Sequence, residues 1–381
     1  MQSCNALAIE AISIIQAYIA QLGFHPSIHF ELEGCYQPTK GKSFSLNYNL
    51  INKQLAYLDI DGELVPEYWQ CQWEYVSKMN HQQPLKEANN LTRAIANIPY
   101  LLSLQGIERT LIKPVVWSGD KGKLALGCHN IFTNDNRAVH IPNAIQMNVS
   151  ATNQAGENII ANNYFGEYLQ QCFMKTSLAC CLLYLPEEEA FERLALKERY
   201  GLAQELCSPI DISGGHQGSI ALYKELGKHN QKMGEQPLLF NKFNEVMVSE
   251  IDWKKTARIE HRLGAASLDY NAYVNVIYGL LNLVDAIEVY SEGKCQSLLN
   301  KEQPDVDLPK SLYDNASGCG AISLFEQDTW FSHAINAIQE KMLIGANMKF
   351  QRSDKLGEQL KKFIIKQYQK DTLLTSVHYN H

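Results

Sequence analysis

The chain has 381 residues, enough for two or three ordinary domains or one large α+β unit with insertions. Hydrophobic residues make up 45% and charged residues 20%, with 23 Gly and 12 Pro, a balance that excludes collagen-like, disordered and coiled-coil chains. The 41 acidic and 34 basic residues give a net charge of -7. They are spread along the chain, so there is no basic stripe to neutralise a phosphate backbone and nucleic acid is not an expected partner. Ten cysteines are scattered without a C-x-x-C pair, and they read as small buried hydrophobes in a reducing compartment.

Taken in chain order, the first segment has an apolar 3.6-residue rhythm from about Ala6 to Leu22, ending at Gly23. It has no basic leader region, no small-residue cleavage site and no 18-residue uncharged run, so a cytoplasmic protein without a membrane span is expected. IHFELEGCY, from Ile28, alternates as a strand. SFSLNYNL and LAYLDI are predicted as two further strands separated by a turn near Asn52. A helix is predicted from Leu85 to Leu104, then strands at LIKPVVW and ALGCHNIF joined by SGDKGK. Phe165 to about Leu206 reads as helical with a break at Pro186, SGGHQGS as a loop, and ARIEHRL as a short strand. Asn271 to Ile287 is a strongly apolar helix, 291–320 a polar connection, and two helices close the chain. There is no internal repeat or low-complexity linker, so one continuous domain is expected over 1–381, with a core of about 6–290 and a helical C-terminal part of about 291–381.

Three acidic groups and a histidine stand out. Glu31 and Glu33 are two apart and share a strand face, where like charges repel unless cations neutralise them; a solvated edge strand is the alternative. In EYWQCQWE, Glu67 and Glu74 lie among Tyr68, Trp69 and Trp73, and a carboxylate buried among aromatics must be paired or bind metal. Glu67 could equally cap a turn after Pro66. In RIEHR, Arg258, Glu260 and Arg262 alternate along one face, either as a salt-bridged ladder or as part of a metal-plus-phosphate site. His129 sits in an apolar strand pattern, where a satisfied core histidine is the simpler reading.

These segments, in this order, resemble the catalytic domain of glutamine synthetase, the ATP-dependent family that joins ammonia or an amine to a carboxylate through an acyl phosphate. GFHPSIHFELEGCY resembles the family's E-x-E entry, EYWQCQWE its E-x4-Q-x-E, and Lys113-Pro114 with Gly127-Cys128-His129 its K-P strand and G-M-H turn. ARIEHRLGAASLDYNAY is similar to R-x-E-x-R-x-P-D-x-x-x-N-P-Y, with Asn271 and Tyr273 kept, and LPKSLYDNA to L-P-x-S-L-x-x-A. The resemblance implies an α+β fold, a curved antiparallel sheet with helices outside. It implies Glu33, Glu67 and Glu74 as ligands of one Mg2+ or Mn2+, and Glu31, His129 and Glu260 as ligands of a second. It further implies Arg258 and Thr133 near ATP, Arg262 near the acyl phosphate, Arg193 on a substrate carboxylate and Glu198 as a flap glutamate.

The pattern also breaks. The first metal carboxylate lies only 31 residues in, so the family's N-terminal β-grasp domain is expected to be missing. Its substrate-holding Asn-Gly reads Leu124-Ala125, its phosphate-touching histidine reads Ile131, and the arginines of its N-R-S-x-x-x-R loop read Gly218 and Tyr223, with Lys224 or His216 as candidate replacements. The turn after Arg262 becomes Leu263-Gly264. Losing one preorganised charge-stabilising donor typically costs about 3 kcal/mol of barrier. The expectation is therefore a ligase acting on a carboxylate and an amine other than glutamate plus ammonia. The alternatives are an impaired regulator that binds metal or nucleotide, and a two-metal enzyme working without nucleotide. Assembly with copies of itself, or with a protein that completes the site, is expected under each.

Overall fold

A computed structural model of the chain describes residues 3–38, 45–67, 69, 71–78, 82–116, 141–200, 212–213, 219–224, 253–299, 307–345 and 355–375, the side chains of 196–200, 212–213, 253 and 369–375 excepted. In chain order the elements are α1 (Cys4–Gln21), β1 (Phe24–Pro38), α2 (Tyr48–Tyr57), β2 (Gly62–Pro66), β3 (Gln72–Ser77), α3 (Pro84–Ser103), β4 (Ile107–Leu111), β5 (Val115–Val116), β6 (Ile141–Pro142) and β7 (Ile145–Asn153). Then come α4 (Phe165–Ser177), α5 (Cys181–Tyr184), α6 (Glu188–Tyr200), β8 (Ile212–Ser213), β9 (Ile220–Tyr223), β10 (Arg258–His261), α7 (Ala272–Ser291), α8 (Cys295–Leu298), α9 (Ala321–Gln327), α10 (Trp330–Gly345) and α11 (Leu356–Thr375).

Two expectations are corrected here. The region predicted as strands at SFSLNYNL and LAYLDI holds α2 instead: the Asn47 side chain accepts from the backbone N–H of Leu50, and Ile51 and Leu55, four apart, bury one face. A strand would have split that apolar pair from its capping residue. At the C-terminal end three helices, α9 to α11, stand where two were expected, because Asp328 ends α9 and its carboxylate accepts from the N–H groups of Trp330 and Phe331 to start α10.

Among the described residues, eight strands form one sheet in the order β2-β3-β1-β7-β10-β9-β8, with β4 pairing the far end of β1. The described ladders are antiparallel apart from β8–β9, which is parallel. Alternation divides β1 between two faces. Ile28, Phe30 and Leu32 point to the helices together with their partners Val149, Met147 and Ile145, and all are in the main core. Helix α7 crosses this face, packing on α1, α3 and α4 as well as on β1 and β7. It comes close at Gly279, where a Cβ would lie 3.1 Å from the Met147 sulfur. Helices α1 and α7 are each long and apolar enough to cross a bilayer, yet α7 is mostly buried inside the fold and α1 packs against it.

Trp73 shapes the β1–β3 edge. Its ring crosses Gly34, where an added Cβ would approach to 2.3 Å, and it is fully buried. Glycine at that point is a steric requirement, and the seated indole holds Glu74 on the other face of the sheet.

Candidate functional site

The face of the sheet away from α7 is polar, and the same alternation builds it. His29, Glu31 and Glu33 of β1 lie beside Gln146 and Asn148 of β7, which adjoin Arg258 and Glu260 of β10 and then Tyr223 of β9. On the other flank, Glu33 stands directly opposite Glu74 in the β1–β3 register. The sheet thus brings together Glu31, Glu33, Glu74, Glu260 and Arg258, with Arg262 just beyond the end of β10. Glu67 follows Pro66 at the end of β2, where its N–H donates to the Gln72 carbonyl.

The two halves of this face differ in chemistry. In one, the half-exposed carboxylates Glu33 and Glu74 oppose each other, and Glu33 accepts the backbone N–H of Ala144 at 2.8 Å and the Gln146 amide at 3.4 Å. Paired hard oxygens of this kind suit Mg2+ or Mn2+. In the other half, Asn148 stands opposite Glu260 of β10 and His29 of β1, with Glu31 two residues along β1 from His29. Its amide nitrogen donates to Glu31 at 3.1 Å, and its oxygen accepts Arg258 Nε at 2.6 Å. Glu260 meets two guanidinium groups, Arg258 at 3.2 Å on one oxygen and Arg262 Nε at 3.2 Å on the other. The Glu260 and Arg262 side chains are each 4% exposed, so the pairing is dry.

Among the described residues no three His, Cys, Asp or Glu side chains converge to hold a metal ion. Among the described residues, the donors of the Glu31–Glu260 half are poorly matched to a second divalent cation, because its two carboxylates are already taken up by an amide and by guanidinium groups. Burial and the neighbouring Glu260 charge, against the opposing pull of Arg258 and Asn148, raise Glu31 to about 7. His29 is buried on the same face, and desolvation with the nearby Arg258 charge holds its pKa well below the ordinary range, so it is neutral.

Arg193, on α6, is buried and donates to the backbone carbonyls of Leu263 at 3.4 Å and Arg262 at 3.5 Å, bracing the turn behind Arg262. Lys224, a candidate to replace a lost loop arginine, is paired with Glu167 at 2.9 Å. Tyr223, at the position of the other lost arginine, lies with its ring centroid 4.3 Å from the Arg258 guanidinium carbon. His129, Thr133 and His216 fall outside the described residues, as does the Glu198 side chain.

Reading the sequence missed Asn148, Gln146, His29 and Asn143. The signal was there: Gln146, Asn148 and Ser150 alternate with Ile145, Met147 and Val149 at strand period. Asn143 ties the site's edge together, donating to the Lys113 carbonyl at 3.1 Å while its oxygen accepts from Gln72 Nε2 at 3.1 Å and the Cys35 thiol at 3.7 Å.

The arrangement of sheet and helices recurs in known structures. A solved structure described as a novel glutamine synthase homologue matches over 93% of this chain and 71% of its own, with 17% identity and a TM-score of 0.56. The chain has a glutamine-synthetase-like fold. GmaS in complex with ADP matches over 91% of this chain and 76% of its own, at 12% identity and a TM-score of 0.55. Plasmodium falciparum glutamine synthetase matches over 98% and 79%, at 14% identity and a TM-score of 0.52. No protein-family model matches the sequence, and no curated protein matches it. At such identities the likeness establishes the glutamine-synthetase-like catalytic fold, an antiparallel sheet with helices on one side.

Proposed function

We propose that this glutamine-synthetase-like protein works by binding, as a cytoplasmic regulator or assembly partner whose phosphoryl-transfer machinery is impaired. One observation among the described residues carries the reading: Arg258, expected near the nucleotide, and Lys224, the candidate replacement for a loop arginine, are already committed within the chain. Arg258 is held by Asn148, Glu260 and the Thr256 carbonyl over the Tyr223 ring, and Lys224 is held by Glu167. A transferring phosphoryl group needs preorganised positive charge around its oxygens, and drawing Arg258 away would leave Glu260 and Asn148 buried without that partner.

A second reading, favoured by Glu33 facing Glu74, is an ATP- and Mg2+- or Mn2+-dependent carboxylate–amine ligase acting through an acyl phosphate on substrates other than glutamate plus ammonia. ADP release from ATP with Mg2+ or Mn2+, given a pool of amino acids, polyamines and ammonium, separates the two. Wild type and Glu33→Ala equally silent across the pool supports the binding role. Pool-dependent release that vanishes in Glu33→Ala establishes the ligase and sinks the first reading.

A further inference from the structure

The polar face carries a charge balance of its own. Around Asn148 lie two acids, Glu31 and Glu260, and two guanidinium groups, Arg258 and Arg262, all largely shielded from water. Fully ionised, the four sum to zero. A divalent cation added among them would place two uncompensated positive charges beside buried guanidinium groups, at a cost that low-dielectric surroundings make large. The geometry gives the same answer. Asn148 directs its amide nitrogen, which has no lone pair for a metal, at Glu31, and its oxygen is engaged by Arg258.

We propose that the Glu31–Glu260 half of the site is neutralised permanently by the chain's own arginines and binds no divalent cation, with Arg258 as the resident cation. Any metal this face takes goes to the Glu33–Glu74 half. The inference concerns the same site as the functional reading but is separable from it, since a site with one ion can turn over and a site with two can be inert. Mn2+ is the natural probe, because its free form is counted directly by electron paramagnetic resonance.

The expected result is that Glu260→Gln binds as many equivalents of Mn2+ as wild type, whereas the double variant Asn148→His, Arg258→Met binds one equivalent more. Loss of an equivalent in Glu260→Gln overturns the proposal, and so does a folded double variant that gains none. If the double variant does not fold, Arg258→Met is melted with Mn2+ and with chelator. Its melting temperature is expected to rise on Mn2+ by more than that of wild type, because the ion replaces the deleted charge and binding to the folded state stabilises it. A rise no larger than that of wild type overturns the assignment of Arg258 as the excluding cation.

Discussion

Tyr223 and Arg258 pair across the β9–β10 ladder, with the guanidinium carbon 4.3 Å from the centre of a phenol ring that is itself 4% exposed. A desolvated cation–π contact is worth about 2 kcal/mol, and truncating a buried aromatic costs about 3 to 5 kcal/mol. Tyr223→Ala is therefore expected to lower unfolding free energy by about 3 kcal/mol or more, and Tyr223→Phe by less than about 1 kcal/mol. Urea titrations of the three proteins check this; equal losses for Ala and Phe would show that the hydroxyl, not the ring, matters.

Asn148 is the hinge of the polar face. Asn148→Ala removes the partner of Arg258 Nε and the donor to Glu31 in one step, leaving two buried polar groups short of a bond. A loss of about 2 to 4 kcal/mol is expected, and Asn148→Asp is expected to be no rescue, because it keeps the acceptor for Arg258 but sets a further carboxylate against Glu31. Thermal melts at matched pH decide it, and an Asn148→Ala protein as stable as wild type would show that water replaces the amide without cost.

At Gly34 the expected effect is steric. Alanine there meets the Trp73 ring at 2.3 Å, inside a core that cannot easily move the indole. Gly34→Ala is expected to cost about 1 to 3 kcal/mol and to displace β3, so tryptophan fluorescence should change with stability. An unchanged emission spectrum and an unchanged urea midpoint would contradict the close approach.

Glu87, near the start of α3, is fully buried on the helix side of the sheet beside Ser77, Asn90 and Tyr75. Burial pushes its carboxyl up to about 8 from 4.5, a shift that bonds from Ser77, Asn90 and the Phe30 backbone only partly offset and that the Asp61 charge slightly increases. The folded state then binds a proton that the unfolded state releases, so stability falls as pH rises from about 4.5 to about 8. Glu87→Gln is expected to flatten that fall and to be the more stable protein above pH 8. Chemical denaturation across the window checks the sign; parallel curves for the two proteins would rule it out.

Much of the fold was legible in the chain. The rhythm of 6–22, the alternation of IHFELEGCY and the apolar run after Asn271 correspond to α1, β1 and α7, because each is a long periodic segment bounded by a turn or cap residue. Helix α2 was misread because its buried pair is short and its Tyr and Leu residues serve a strand equally well, so only packing decides between them. The alternation of Arg258, Glu260 and Arg262 left two readings open, a metal-plus-phosphate site and a salt-bridged ladder. The contacts at Glu260 are those of ion pairing along the strand and its continuation.

The amino-acid order by itself determined which residues share a face, since strand period needs no knowledge of neighbours: Glu31 with Glu33, Arg258 with Glu260, and Gln146 with Asn148. What it left open was which faces meet. That was settled when β7 inserted between β1 and β10, a pairing between segments more than a hundred residues apart that depends on how α7 buries the opposite side of all three strands. The insertion placed an amide, Asn148, opposite Glu260 and within reach of Glu31. It set arginines against Glu260, the acid that the sequence pattern offers to a metal, because electrostatic balance depends on distances through space and not on spacing along the chain.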